Sequence, residues 1–364
     1  MILSKERIKV GRIQEDGSIT KAQIECNGAL EPSGIIDAVK IAAEKYKTEN
    51  GDFPNLINLK GLGLLAVAET SKQLDELLAT GDCKEVTGNV GKATGKTAII
   101  TGGAQGFGGG LVECFMNDGG NVVIADLNQE KGEEYAAELN AKAGNNKASF
   151  VKVDVSDYAS VENLIYEAVC EFGGFDVFIS NAGVLRAGGL DEMDTDTFDL
   201  MTKVNYSGYF YCTKAASKVL KLQTANKKGY FGDIIQINSK SGLKGSNKNF
   251  AYAGGKFGGI GLTQSFALEL MPSRVKVNSV CPGNFFDGPL WSDPETGLFV
   301  QYLKTGKVQG AKTIGDVKSF YEAQVPAGRG CRVIDVMKAV YYAMDQEYET
   351  GQAIPVTGGQ EMLK

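Results

Sequence analysis

The sequence predicts an α/β fold, a parallel sheet doubly wound by helices on both faces, preceded by a small α+β module. Three observations carry this. From Thr97 onward, short apolar runs alternate with helix-length segments, the pattern of strands joined by crossover helices. The first run, Ala98-Ile99-Ile100, leads into the glycine-rich turn Thr101-Gly102-Gly103-Ala104-Gln105-Gly106-Phe107-Gly108. Residues 1–94 do not share the rhythm.

In chain order, the N-terminal module comes first. Arg7 to Val10 and Ile19 to Ile24 flank Glu15-Asp16-Gly17-Ser18, which predicts a hairpin. Ser33 can cap a helix running to Tyr46. Leu56 to Leu59 and Leu64 to Val67 read as strands, and Ser71 to Leu78 as a helix. Thr87 to Lys96 is a Gly/Lys/Thr-rich linker. The boundary therefore falls between 1–94 and 95–364. Gly95-Lys96-Thr97 imitates the end of a P-loop, but Val90 stands where its first Gly belongs, and a strand follows instead of a helix.

In the second part, strands are expected at 97–101, 121–125, 149–153, 175–179, 233–237, 275–280 and 352–356. Helices fill the gaps, among them Asp157 to Phe172, Phe198 to Leu222 and Tyr252 to Leu270. Residues 285 to about 330 break the alternation with aromatics, Pro and Gly, as a lid would.

Composition removes several classes of function. Net charge is −6, which speaks against a nucleic-acid or anionic-membrane surface. No apolar run reaches the roughly 18 residues of a membrane span. The seven Cys (Cys26, Cys83, Cys114, Cys170, Cys212, Cys281, Cys331) are scattered and never in C-x-x-C, as expected of reduced thiols in a cytoplasmic protein. There is no His. Ser-His-Asp and Cys-His catalysis are excluded, as is a His-ligated metal, and no metal site is expected. Proton transfer is left to Tyr, Lys, Asp, Glu or Cys.

Glycines at 102, 106 and 108 let the backbone turn tightly and approach a pyrophosphate at a helix N-terminus, the Rossmann arrangement. An ordinary strand–helix turn would look similar. Asp126 ends the next strand, where a carboxylate accepts from ribose hydroxyls and repels a 2′-phosphate, favouring NAD over NADP. Tyr252 and Lys256 are four apart on an expected helix and share a face. A Lys⁺ beside a phenol favours phenolate and makes a proton acceptor.

Nucleotide turn, Asn181-Ala182-Gly183, Asn205, Ser239 and Tyr252-x-x-x-Lys256, in that order, resemble the short-chain dehydrogenase/reductase family over about 97 to 364. The resemblance implies a Rossmann-type nicotinamide-dependent oxidoreductase. It implies that Ser239 holds the substrate oxygen, Tyr252 takes the proton, Lys256 also binds the nicotinamide ribose, and Asn205 holds a relay water. Ser241 is the competing hydroxyl. Cofactor contacts carry over to Gly102, Gln105, Gly106, Phe107, Gly108, Asp126, Asp154, Val155, Asn181, Gly183, Tyr252, Lys256, Pro282 and Gly283. After Pro282-Gly283 the family often has a Thr; here Asn284-Phe285-Phe286 intervene.

Ile234 to Gly242, Lys256 to Ser265, Arg329-Gly330-Cys331 and Val356 to Gln360 are similar to family members that oxidise sugar-alcohol phosphates, sorbitol 6-phosphate to fructose 6-phosphate. That implies a small-molecule sugar-alcohol phosphate as substrate and NAD as cofactor. Arg186, Lys240, Lys244, Asn284 and Arg329 are the substrate-binding candidates, each also readable as an ordinary surface group. An unphosphorylated polyol or ketose remains an alternative, as does an NAD-binding regulatory or scaffold role. The family implies a homodimer or homotetramer, with the helices Tyr206 to Leu222 and Tyr252 to Leu270 at the interface. The first 94 residues weakly resemble the end of class II aldolase domains around Gly61 to Ala66. Those use His-ligated metal, so a non-catalytic module is expected.

Overall fold

A computed structural model of the chain describes residues 10–14, 22–25, 32–60, 63–68, 70–80, 91–295, 297–304, 306 and 308–362. Seven parallel strands form the central sheet: β5 (Thr97–Thr101), β6 (Asn121–Asp126), β7 (Ala148–Lys152), β8 (Val177–Ser180), β9 (Gly232–Ile237), β10 (Val275–Pro282) and β11 (Ala353–Val356). Their order is β11-β10-β9-β8-β5-β6-β7. A parallel strand covered on both faces reads as a continuous apolar run, and β5, β9 and β10 are buried at every residue.

Alternate residues of these strands feed two cores. Ile99, Val123, Phe178, Ile234 and Val277 face α5 (Tyr158–Phe172), α7 (Gly208–Asn226) and α8 (Phe250–Leu270). Ile100, Ile124, Ile179, Ile235 and Val280 face α3 (Gly106–Asn117), α4 (Gln129–Lys142) and α12 (Val333–Asp345). Period-two side-chain alternation along a strand produces this division.

β5 lies between β6 and β8, so the connections leave it in opposite directions. That opens a crevice at the carboxyl ends of β5 and β8, the binding position of open α/β sheets.

The N-terminal residues form a second sheet from β1 (Val10–Gln14), β2 (Ala22–Glu25), β3 (Leu56–Lys60) and β4 (Gly63–Ala68), with α1 (Pro32–Asn50) and α2 (Ser71–Thr80). The hairpin expectation is corrected here. β1 pairs with β4 and β2 with β3, in the order β1-β4-β3-β2. The local turn signal lost to the apolar β3–β4 pair, which occupies the centre. Residues 7–9 and 15–21 of that expectation lie outside the described residues, as do 87–90 of the linker. The linker's last residues are built into the fold: Ala93 is fully buried and its N–H donates to the Asp118 carbonyl at 3.0 Å. Leu56, Ala66, Leu74 and Leu77 share a core with Leu164 and Phe172 of α5. Ser71 donates to Asn121, at the start of β6, over 2.7 Å.

Between β10 and α12, α9 (Pro289–Ser292), α10 (Leu298–Lys304) and α11 (Ile314–Ala323) make a small lid. Its own core joins Phe286, Trp291, Leu298, Phe299, Val317 and Val325. Among the described residues, no helix is long and apolar enough to cross a membrane.

Candidate active site

A cleft of about 750 Å³ opens above the carboxyl ends of the central strands. Its floor begins with the glycine turn between β5 and α3. Gly102 and Gly106 have φ of +63° and +62°, a region favouring glycine. A Cβ on Gly108 would stand 2.0 Å from the Gly102 carbonyl oxygen, so that position admits no side chain. Gln105 caps α3 without a side-chain hydrogen bond, leaving the helix N-terminus to an anion. Asp126 braces the turn: its carboxylate accepts from the Ala104 N–H at 3.1 Å and from the Asn128 N–H at 3.0 Å. These features fit a dinucleotide pyrophosphate and ribose.

The crevice walls are tied together. The Thr101 hydroxyl accepts from the N–H groups of Asn181 and Ala182, both at 3.0 Å. The Asn181 amide donates to the carbonyls of Thr101 and Gly102 at 2.9 and 3.2 Å. Asn181 therefore fixes the crevice through its side chain. Thr101 was not singled out from sequence, although a hydroxyl ending the first strand was the available signal.

The expected helix from Phe198 to Leu222 is interrupted. α6 (Thr195–Thr202) passes through a π turn, Lys203–Ser207, into α7. π turns recur at functional sites. This one carries Asn205, buried, whose amide bonds both backbone groups of Val184: it accepts from the N–H at 2.9 Å and donates to the carbonyl at 2.8 Å. A Cβ on Gly183 would lie 2.9 Å from the Asn205 oxygen, so the Gly of Asn181-Ala182-Gly183 is what admits Asn205.

Ser239 follows β9, and Tyr252 and Lys256 stand on the first turns of α8. The Ser239 hydroxyl is near enough to the Tyr252 phenol to favour its charged form. Ser239 also accepts from the Ser241 N–H at 3.1 Å. Ser239, Ser241 and Tyr252 all line the cleft. Lys256 is buried and donates to the Ile237 carbonyl at 3.0 Å. Burial lowers its amine to about 8, against a smaller opposing influence of Cys281. Burial raises the Tyr252 phenol above its ordinary value, while the Ser239 hydroxyl pulls it back. Desolvation thus acts on both partners and opposes the lowering of the phenol expected from Lys256 and a nicotinamide cation together.

Asp154, Val155, Gln105, Phe107, Pro282 and Gly283 line the same cleft. The substrate candidates divide. Lys240, half-buried, lines the cleft with Asn284. Arg186 is not brought in: it is exposed and donates to the Leu185 carbonyl at 3.0 Å. Lys244 pairs with Glu361 at 3.5 Å, outside the lining. Arg329 forms a two-pronged pair with Asp335 at 2.6 and 3.0 Å. It lines a neighbouring cavity of about 450 Å³ with Gly283, Asn284 and Glu361. Adjacency to a motif did not fix side-chain direction, and a nearby carboxylate captured two of these cations.

Two further features line the cleft, the first of them without a signal in the sequence. Glu192 and Lys248 pair at 2.7 Å. Trp291, Tyr302 and Tyr321, with Leu298, present the lid's aromatic face, and the aromatics of the irregular segment were its signal.

A family model described as short chain dehydrogenase matches residues 96–291. The chain is 34% identical over 270 residues to sorbitol-6-phosphate 2-dehydrogenase of Escherichia coli, covering 74% of this chain and 99% of that protein. It is 35% identical to L-2,3-butanediol dehydrogenase of Corynebacterium glutamicum, over 72% of this chain and 98% of that one. The crystal structure of sorbitol-6-phosphate 2-dehydrogenase from Erwinia amylovora superposes with a TM-score of 0.67 at 38% identity, covering 73% of this chain and all of that one.

Proposed function

The chain belongs to the short-chain dehydrogenase/reductase family, and from that premise we propose that it oxidises a sugar-alcohol phosphate at a secondary hydroxyl using NAD. The observation that carries this is the convergence of Ser239, Tyr252 and Lys256 beside a glycine turn braced by Asp126. Lys240 supports a phosphorylated substrate, as a half-buried cation one residue from Ser239.

In this reading Ser239 donates to the substrate oxygen and orients the alcohol. Tyr252 accepts the alcohol proton. Lys256, fixed by Ile237, holds positive charge behind the phenol and reaches the ribose. Asn205, spanning Val184, holds the turn and a relay water. The dinucleotide would rest on the N-terminus of α3, with Asp126 at its adenosine ribose and Asp154 and Val155 along the adenine. When bound, an oxidised nicotinamide would supply the hydride acceptor and a positive charge in the cleft that Tyr252 lines. Such a charge would favour the Tyr252 phenolate, against the influence of burial.

A second reading, a neutral polyol or ketose, is favoured by the aromatic lid face and by the neutralised Glu192–Lys248 pair. NADH formation with a panel of polyols and their phosphates decides between them. No turnover of any panel member would overturn both readings.

We further propose that residues 1–94 are a packing module without catalytic groups: among the described residues, none that lines the cleft precedes Gly102. A Leu74→Ala chain that lost activity without losing stability would contradict this. Exposed Tyr206, Phe210 and Leu222 on and near α7, and Phe257 and Leu268 on α8, support a homo-oligomer joined through these helices. A monomer in sedimentation at micromolar concentration would count against it.

A further inference from the structure

Phe107 and Phe285 stack face to face, ring centroids 4.4 Å apart and planes 20° from parallel. Phe107 stands on the first turn of α3, where the glycine turn after β5 ends, and Phe285 on the segment leaving β10. In the sheet, β8 and β9 lie between those two strands. A contact joining the two loops must therefore cross above the carboxyl ends of β8 and β9. Ser239 and Tyr252 line the cleft there, and both Phe rings line it too.

We propose that this stack is a clasp across the cofactor crevice and that it sets the rate of dinucleotide release. The inference rests on reading the cleft as a dinucleotide site. The clasp has a built seat: a Cβ on Gly288 would fall 2.4 Å from the Phe285 ring, so Gly288 makes room for it. The next residue turns the other way. Phe286 is buried in the lid core, 5.0 Å from the Trp291 ring and 5.7 Å from Phe299. One backbone step thus separates the ring that holds the glycine turn from the ring that anchors the lid. Parting the stack to free the cofactor moves the root of the lid that lines the substrate half of the cleft. Phe107 and Phe285 act here as positioning residues.

The test is the release rate of NADH from the full-length protein, followed by stopped-flow fluorescence on displacement. Offset aromatic pairs contribute enough beyond plain burial to slow release roughly three- to tenfold. Phe285→Ala should release NADH faster by that factor, and Phe107→Ala likewise. The double variant should be no faster than the faster single one, because each removes the same contact. Phe285→Tyr, which keeps the ring, should stay near wild type. A Phe285→Ala rate equal to wild type overturns the clasp, as do single-variant effects that multiply in the double variant. A wild-type chain that binds no NADH would instead overturn the dinucleotide reading, and the clasp with it.

Discussion

Lys256 Nζ lies 5.5 Å from the centroid of the Tyr252 ring and spends a hydrogen bond on the Ile237 carbonyl at 3.0 Å. The amine is thus held behind the phenol by the end of β9. Burial raises the Tyr252 phenol, so in the proposed mechanism its proton-accepting state would belong to the cofactor complex. Tyr252→Phe should lower kcat by about 10²–10⁴-fold, the usual share of a positioned base, and leave NADH affinity within about threefold, since that share concerns proton transfer alone. Alcohol oxidation by the wild type should climb with pH, because only the deprotonated phenol accepts a proton; the variant should lose that limb. Single-turnover rates and a cofactor titration check both. A variant keeping most of its turnover would end the proposed mechanism.

Lys256 makes a separate prediction about stability. Burial lowers its folded value from 10.5 to about 8. Above the unfolded value both states are neutral and the burial costs nothing. As pH falls toward 8 the unfolded chain takes up a proton that the folded chain resists, so stability is lost over that window. Lys256→Met should lack this loss. Relative to wild type it should gain about 3 kcal/mol between pH 10.5 and pH 7, from 1.36 kcal/mol per unit. Its rate and cofactor affinity should fall. Urea unfolding of both proteins at several pH values would show a constant gap if the amine were not desolvated.

The legibility of the sequence followed the range of the interaction. The inner strands could be read because they are covered on both faces and carry apolar runs, Ala98-Ile99-Ile100 being the plainest; the edge strands β7 and β11 are only partly buried and were placed by the alternation of strands and helices. Tyr252 and Lys256 could be read because helical periodicity alone puts them on one face. The π turn at Asn205 could not, since its cause is Val184, 21 residues away, and the space left by Gly183. The hairpin expected around Gly17 failed for the same reason: β4 lies more than fifty residues downstream of the strand it pairs with. Arg329 and Lys244 were placed by proximity to motifs, and the carboxylates of Asp335 and Glu361 redirected them.

Asp126 holds the Ala104 N–H as well as being the proposed ribose contact. Asp126→Ala should therefore weaken both cofactors through the loosened turn. NAD should lose more, because NADP also gains from the lifted repulsion of its 2′-phosphate. Lys131, whose amine reaches Gln105 at 3.4 Å, would then be a cation left at that rim. The measurement is kcat/KM with each cofactor. A wild-type preference for NADP would show that Asp126 does not discriminate.

At the opposite end of the sheet, Lys276 is fully buried and bridges Asp233 at 3.1 Å with the carbonyls of Met344 and Gln346 at 3.0 and 2.9 Å. Burial raises Asp233 to about 7, with Lys276 pulling it down. Removing Lys276 strands that carboxylate and uncaps α12; Lys276→Met should cost about 3–5 kcal/mol, the range for breaking a buried pair. Asp233→Asn should cost less, because the lysine keeps its carbonyls. Chemical denaturation would contradict this account if the two variants were equally destabilised.

Lys240 differs from the other expected cations in its position. It lines the cleft, and burial, more than its neighbour Lys244, lowers its amine. Arg186 points to its own chain, and Arg329 is spent on Asp335 at the start of α12. A charged hydrogen bond to a phosphate is worth about 1.5–3 kcal/mol. Lys240→Ala should therefore raise KM for sorbitol 6-phosphate by roughly ten- to a hundredfold, at 1.4 kcal/mol per tenfold, and spare KM for NAD. Lys240→Arg should recover part of the loss. Arg186→Ala should leave KM nearly unchanged. Arg329→Ala should lower the melting temperature more than it raises KM, because its partner caps a helix. Only the protonated amine attracts a dianion, so KM for the phosphate should begin to rise at a lower pH than an ordinary lysine would give. Unchanged KM in Lys240→Ala would remove the phosphate reading, and so would equal turnover of free sorbitol. Either result would leave Ser239, Tyr252 and Lys256 their roles and pass the substrate to the neutral polyols that the aromatic lid face also suits.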